Sequence, residues 1–147
     1  MSQLNSVFNV LAGLSPHGKS ALEANFKQKA SESPILVEGM IGKIANEAGV
    51  PVLTKLTSAN NGDTTPPDYP WLVIEGADTT DAAVANKLTA LALKSGVIWK
   101  VATGLTLAVG DLVYASSGVV AKVTGSEQAI GLVIEVSSAG GWVVIAS

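Results

Sequence analysis

The 147-residue chain has no cysteine, no arginine and a single histidine. Without cysteine there is no disulfide, no thiolate nucleophile and no cysteine zinc site, and one His17 cannot assemble a histidine metal centre. Arginine is the preferred fork for phosphate and base edges. Its absence, with a net charge of −3, argues against nucleic acid as a partner. Charged residues are 14% of the chain, against about 25% in an ordinary domain. So little charge predicts that copies of the chain, or a partner, cover part of its surface. No apolar run approaches the roughly 20 residues of a membrane-spanning helix, and the opening MSQLNSVFNV lacks a basic signal-type stretch. No membrane partner is therefore expected, and the lack of cysteine fits synthesis in a reducing cytoplasm.

What the chain does have is β-branched and aromatic residues in short runs between turns. From Val97 to Ile145, five such runs alternate with Thr-Gly, Val-Gly-Asp, Ser-Ser-Gly, Thr-Gly-Ser and Ala-Gly-Gly, the pattern of a compact antiparallel sheet, sandwich or barrel. Upstream, ILVEGMIGKIA (35–45) and VPVLTKLT (50–57) read as a hairpin around a turn at 46–49. SANNGDTTPPDYP (58–70) reads as a loop and WLVIEG (71–76) as a strand. ADTTDAAVAN reads as a polar excursion with one helical turn. KLTALAL (87–93) and VIWKV (97–101) read as a further hairpin across Lys94-Ser95-Gly96. Residues 35–147 are thus expected to form a mainly β domain, a compact barrel or sandwich.

The β region echoes itself. VEGMIGKIANEAGVPVLTKLT (37–57) aligns with VGDLVYASSGVVAKVT (109–124), matching Gly39 to Gly110, Gly49 to Gly118, Lys55 to Lys122 and Thr57 to Thr124. LVIE follows each copy, at 72–75 and at 132–135. Shared glycines imply shared turn geometry, so two versions of one β unit are expected, packed against each other.

Residues 1–34 differ. Leu4, Val7, Phe8 and Leu11 have helical spacing, interrupted by Gly13 and Pro16. A second helical piece is expected from Ser20 to Ala30, with Leu22 and Phe26 on one face. Such narrow stripes bury little alone. The segment either packs on its own domain or forms an arm that docks on a neighbouring subunit. Phe8, Leu11, Leu14 and Phe26 are the candidate anchors.

Several motifs suggest chemistry, and each has a simpler explanation. Gly13-Leu-Ser-Pro-His-Gly18-Lys19-Ser20 fits the phosphate-cradling pattern of a P-loop. That loop needs a strand before it and a helix after it, and the residues before Gly13 have helical period. His17 lies near Ser15 and Ser20, but no acid is placed to orient it. Asp63, Asp68, Asp78 and Asp81 lack the spacing of a calcium loop and read as solvated turn residues. Trp71, Trp99 and Trp142 read first as core, and otherwise as interface anchors. No catalytic residue, metal site or cofactor is expected, and the chain reads as a non-enzyme.

The segments Gly96-Val-Ile-Trp-Lys-Val, Val109-Gly-Asp-Leu-Val-Tyr, Ser117-Gly-Val-Val-Ala-Lys-Val, Ala129-Ile-Gly-Leu-Val-Ile-Glu and Gly140-Gly-Trp-Val-Val-Ile follow one another in the last third of the chain. Together they resemble the capsid cement, or decoration, proteins of tailed bacteriophages. Val37-Glu-Gly-Met-Ile through Leu72-Val-Ile-Glu resembles their N-terminal β half, whereas residues 1–34 do not. The resemblance implies a structural virion protein that binds the outside of an assembled capsid and stabilises it. It also implies the major capsid protein as partner, self-association as a homotrimer, and no cofactor. The alternatives are a phage tail or fibre β-module and, last, a nucleotide-binding protein using Gly13–Ser20.

Overall fold

The computed structural model describes residues 23–30, 35–57, 69–76, 87–101, 105–136 and 141–147, and there is no helix among them. Ten strands occur there: β1 (Glu23–Gln28), β2 (Ile41–Glu47), β3 (Val50–Lys55), β4 (Trp71–Glu75), β5 (Lys87–Ala92), β6 (Ile98–Val101), β7 (Leu112–Ser116), β8 (Val119–Lys122), β9 (Gly131–Val136) and β10 (Trp142–Ala146). The first five close into a barrel in the order β1-β3-β2-β4-β5. The last five form a sheet in the order β6-β10-β9-β7-β8. Opened between β1 and β3, the barrel has the same order as the sheet: third strand of the unit, then second, fourth, fifth and first.

The correspondence extends to single hydrogen bonds. Gly39 N–H donates to Val73 O, and Gly110 N–H donates to Val133 O, both at 2.8 Å. Both glycines turn the chain into the unit's second strand at positive φ, 89° and 95°, which a side chain would resist. Lys55 stands opposite Gly42 as Lys122 stands opposite Val113. The repeated LVIE has a structural meaning. Val73 and Glu75 pair with successive residues Ala90 and Thr89, and Val133 and Glu135 pair with successive residues Val144 and Val143. Ile74 and Ile134 are therefore the extra residues of equivalent β-bulges, which bend each strand at one place. Each β2–β3-type hairpin turns through two residues with positive φ, Ala48–Gly49 (51°, 83°) and Ser117–Gly118 (47°, 81°). That geometry matches the right-handed twist of the strands it joins.

Three sequence expectations are corrected. The helix expected over Ser20–Ala30 is strand β1 over Glu23–Gln28. EANFKQ also alternates. Ala24 and Phe26 pack on the barrel core, while Glu23, Asn25 and Lys27 face solvent. Tertiary pairing decided between the two periods. β1 pairs antiparallel with β5 and parallel with β3, and closes the barrel. Gln28, at its end, is buried and its Oε1 accepts from Leu36 N–H at 3.0 Å. Secondly, β5 and β6 are not a hairpin. β5 pairs with β4 and β1, β6 pairs with β10, and Lys94-Ser95-Gly96 is the crossing from one unit to the other. Thirdly, the strand expected over 35–45 begins only at Ile41, because Gly39 turns the chain first. The first helical piece of the arm and the helical turn expected at 77–86 lie outside the described residues.

The barrel encloses Leu36, Met40, Leu53, Trp71, Val73, Leu88, Ala90 and Ala92, with Phe26 set edge-on to Trp71 at a centroid distance of 5.1 Å. The second core gathers Trp99, Val113, Val120, Val133 and Val144 from the sheet. It also takes in Ile41, Leu56, Leu72 and Leu93, which point outward from the barrel. Alternation along β4 explains the sharing: Trp71 and Val73 face the barrel interior, while Leu72 faces the sheet. The two units are joined by backbone as well. Ile41 N–H donates to Gly118 O and Gly118 N–H donates to Leu56 O, both at 2.8 Å. The β7–β8 tip is thereby wedged into the base of the β2–β3 hairpin.

Candidate interaction site

Of the four candidate anchors, Phe26 alone falls on described residues. It is half-buried on β1, held against Trp71 of its own chain. Phe8, Leu11 and Leu14 lie outside the described residues, as do Gly13–Ser20, His17, Asp63, Asp68, Asp78 and Asp81. β1 does begin three residues after Ser20, which leaves no room for the helix that a phosphate-binding loop must run into. Among the described residues no group of three or more His, Cys, Asp or Glu comes together. Trp71 and Trp99 are buried as core residues. Trp142 is half-buried, and its Nε1 donates to Leu107 O at 3.0 Å.

Phe26 forms part of a groove of about 690 Å³ at one end of the barrel, together with Lys27, Pro51, Glu75, Lys87 and Thr89. Lys27 and Lys87 stand directly opposite each other on β1 and β5. Thr89 Oγ1 donates to Asn25 Oδ1 at 2.8 Å beside them. Among the described residues the lining holds no histidine, cysteine or serine. An apolar floor with a charged rim can grip an extended segment or a side chain.

The second notable surface is on the sheet. Ile98, Ile145, Leu132 and Leu112 are aligned across β6, β10, β9 and β7 in successive registers. Ile98 is 58% exposed and Leu112 46% exposed. The matching row on the barrel, Leu91, Leu72 and Ile41, lies beneath the sheet, and Ile41 is 0% exposed. Sequence reading missed this row because alternation names an apolar face without saying what covers it. The echo could have found it: aligning Gly39 with Gly110 puts Leu112 two residues after its glycine, where Ile41 is buried.

Two carboxylates fix loops in the second unit. Asp111 pairs with Lys122 at 2.9 Å and accepts from Ala108 N–H at 2.8 Å. The Lys122 bond first, then the Ala108 amide, holds its carboxyl below the ordinary value of 3.8. Glu127 is likewise held below its ordinary 4.5 by backbone amides, its own first and then that of Gly125 at 2.7 Å. These are turn-fixing groups, placed at loops and not in the groove.

No protein-family model matches the chain, and no curated protein matches it. Among solved structures, the chain is similar to the N base of the head fiber gp8.5 of bacteriophage phi29. The likeness has a TM-score of 0.56 at 16% identity and covers 86% of this chain and 95% of that one. It shows a shared fold.

Proposed function

We propose that the chain is a non-enzymatic structural protein of a phage virion, bound to the outside of the head and gripping the major capsid protein as a decoration or cement subunit. The observation that carries this reading is the fold. Nearly the whole of a head fiber base superimposes on this chain, at 95% of its length. The resemblance of the turn glycines to capsid cement proteins points the same way from sequence. The physical design suits the task. A shell offers many identical sites, so modest contacts sum through multivalency and no chemistry is needed. The segment before Glu23, with Phe8, Leu11 and Leu14, is the candidate arm onto a neighbouring subunit.

The test adds purified protein to heads that lack it. Saturable binding at lattice-symmetric positions, with heads that resist heating better, is the expected result. Binding to tails, or no binding to heads, would sink the proposal. The same likeness favours a second reading, the base of a head fibre. A fibre rising from each bound copy in averaged density of intact virions would select it over cement.

A further inference from the structure

Among the described residues there are two hairpin tips with paired positive φ and two places of the kind that receives one of them, and one tip-to-place joint is made. The engaged pair is internal. Gly118, at the β7–β8 tip, bridges Ile41 N–H and Leu56 O. Leu56 N–H still donates to Ile41 O at 3.0 Å, so the tip replaces only the reciprocal bond of that pair. The contact is close: a side-chain carbon at Gly118 would lie 3.0 Å from Met40 Cε and 3.1 Å from Lys55 Cγ.

The second unit repeats the receiving place. Val123 N–H donates to Leu112 O at 2.9 Å, as Leu56 does to Ile41, and no described residue fills the reciprocal position. Leu112 stands exposed beside it, in the apolar row that on the barrel is covered. The first unit repeats the tip. Ala48–Gly49 has the same pair of positive φ angles as Ser117–Gly118, is exposed, and has no described atom within 4 Å of the glycine's missing side chain. Its Gly49 N–H donates to Asn46 Oδ1 of the same turn at 2.8 Å, a solvent-exposed bond that docking would exchange for one to Val123 O.

We propose that the unfilled place at Leu112 and Val123 receives the Ala48–Gly49 tip of a second copy of this chain, repeating between molecules the joint that Gly118 makes within one. The occupant is argued from the joint itself, whose two halves both recur, exposed, on the same molecule. A tip-to-slot contact is head-to-tail. It either closes into a ring, such as the trimer expected from the sequence, or continues as a filament. One hairpin tip and a short apolar row cover less than the roughly 800 Å² per partner of a standard interface, so a single joint is weak and copies on a lattice reinforce it. The inference does not depend on the head as the site of binding.

Sedimentation of the full chain at up to about 1 mM tests it, in the range where small contacts of this kind populate. Gly49→Asn keeps a residue that tolerates positive φ but blocks close approach of the tip. Leu112→Glu places a charge in the slot at an exposed position. Each variant alone is expected to associate at least about tenfold more weakly than the parent. Mixed, they are expected to form one-to-one pairs that grow no further, because one copy supplies a sound tip and the other a sound slot. If Gly49→Asn lowers the melting temperature, Val50→Glu at the same tip replaces it. A parent that stays monomeric, a variant that associates like the parent, or a mixture that stays monomeric would each overturn the proposal. Binding to heads is measured separately, so its failure would leave this result standing.

Discussion

The barrel and the sheet are one topology finished in two ways. Strand order, bulge and hairpin tips coincide, while the bulky side chains have changed places. In the barrel the large ring is Trp71 on β4, with Gly42 opposite it and Ala24 on β1. In the sheet the position of Trp71 is held by Gly131 and that of Ala24 by Trp99. A side-chain carbon at Gly131 would lie 2.8 Å from Trp99 Cη2, so the glycine makes room for the transposed ring. Met40, tucked into the barrel core, is replaced by Asp111, which pairs with Lys122 at the surface. The barrel unit fills its interior from its own residues, and the sheet completes its core with Ile41, Leu56, Leu72 and Leu93 of the barrel unit. Turns and bulges fix how strands are ordered. What lies inside decides whether the unit closes on itself or on its sibling.

The largest expected break removes the closing strand. A chain beginning at Ser31 lacks β1, leaving β3 and β5 each without a partner on that side. It is expected to lose the cooperative thermal transition that a chain beginning at Glu23 retains. Equal melting curves for the two would contradict a barrel closed by β1. Next in size, Gly131→Ala sets a carbon 2.6 Å from Val144 Cγ1 and 2.8 Å from Trp99. Overpacking of this kind costs about 2–3 kcal/mol in urea unfolding. Smaller is the contrast between the tips. Gly49→Ala and Gly118→Ala share the cost of positive φ, about 1 kcal/mol each. Only Gly118→Ala also crowds Met40 and Lys55, so it should be the more destabilising, again by urea unfolding.

The smallest effect is the acid sensitivity that Asp111 gives the sheet. Asp111 has a folded pKa lowered from 3.8, chiefly by Lys122. Its contribution is present above that ordinary value and is lost as pH falls through the lowered one. Asp111→Asn should therefore flatten the stability profile below about pH 4 while leaving the profile near neutral pH parallel to the parent's. An unchanged acid limb would show that the pair contributes nothing measurable.

Much of this comparison was legible in the sequence. Gly39, Gly110, Gly49 and Gly118 mark turns because only certain φ values fit there, and a turn is a local property. LVIE was visible as a repeat, but a bulge depends on the partner strand, so its meaning was not. Strand β1 was misread because Leu22 and Phe26, four apart, satisfy a helix, while Ala24, Phe26 and Gln28 satisfy a strand. Only the edges that β3 and β5 offer to β1 distinguish the two. Phe26 was singled out as an anchor for a neighbouring subunit, and the described residues place it against Trp71 of its own chain. The row of Ile98, Ile145, Leu132 and Leu112 depends on register across four strands, which pattern within one strand does not carry.

The wedge of Gly118 between Ile41 and Leu56 also has a consequence in time. A ribosome delivers the barrel strands first, and the last of them is complete at Ala92. Leu72, Ile41 and Leu56 then form an uncovered apolar band until the sheet follows. At about 5–20 residues per second, the roughly fifty residues from Leu93 to Ala146 take several seconds to make. During that interval the nascent barrel presents the same kind of surface that the finished sheet presents at Leu112. Two nascent chains on one messenger could meet there before either has its own cover, and slower translation past Leu93 should raise the yield of misjoined chains.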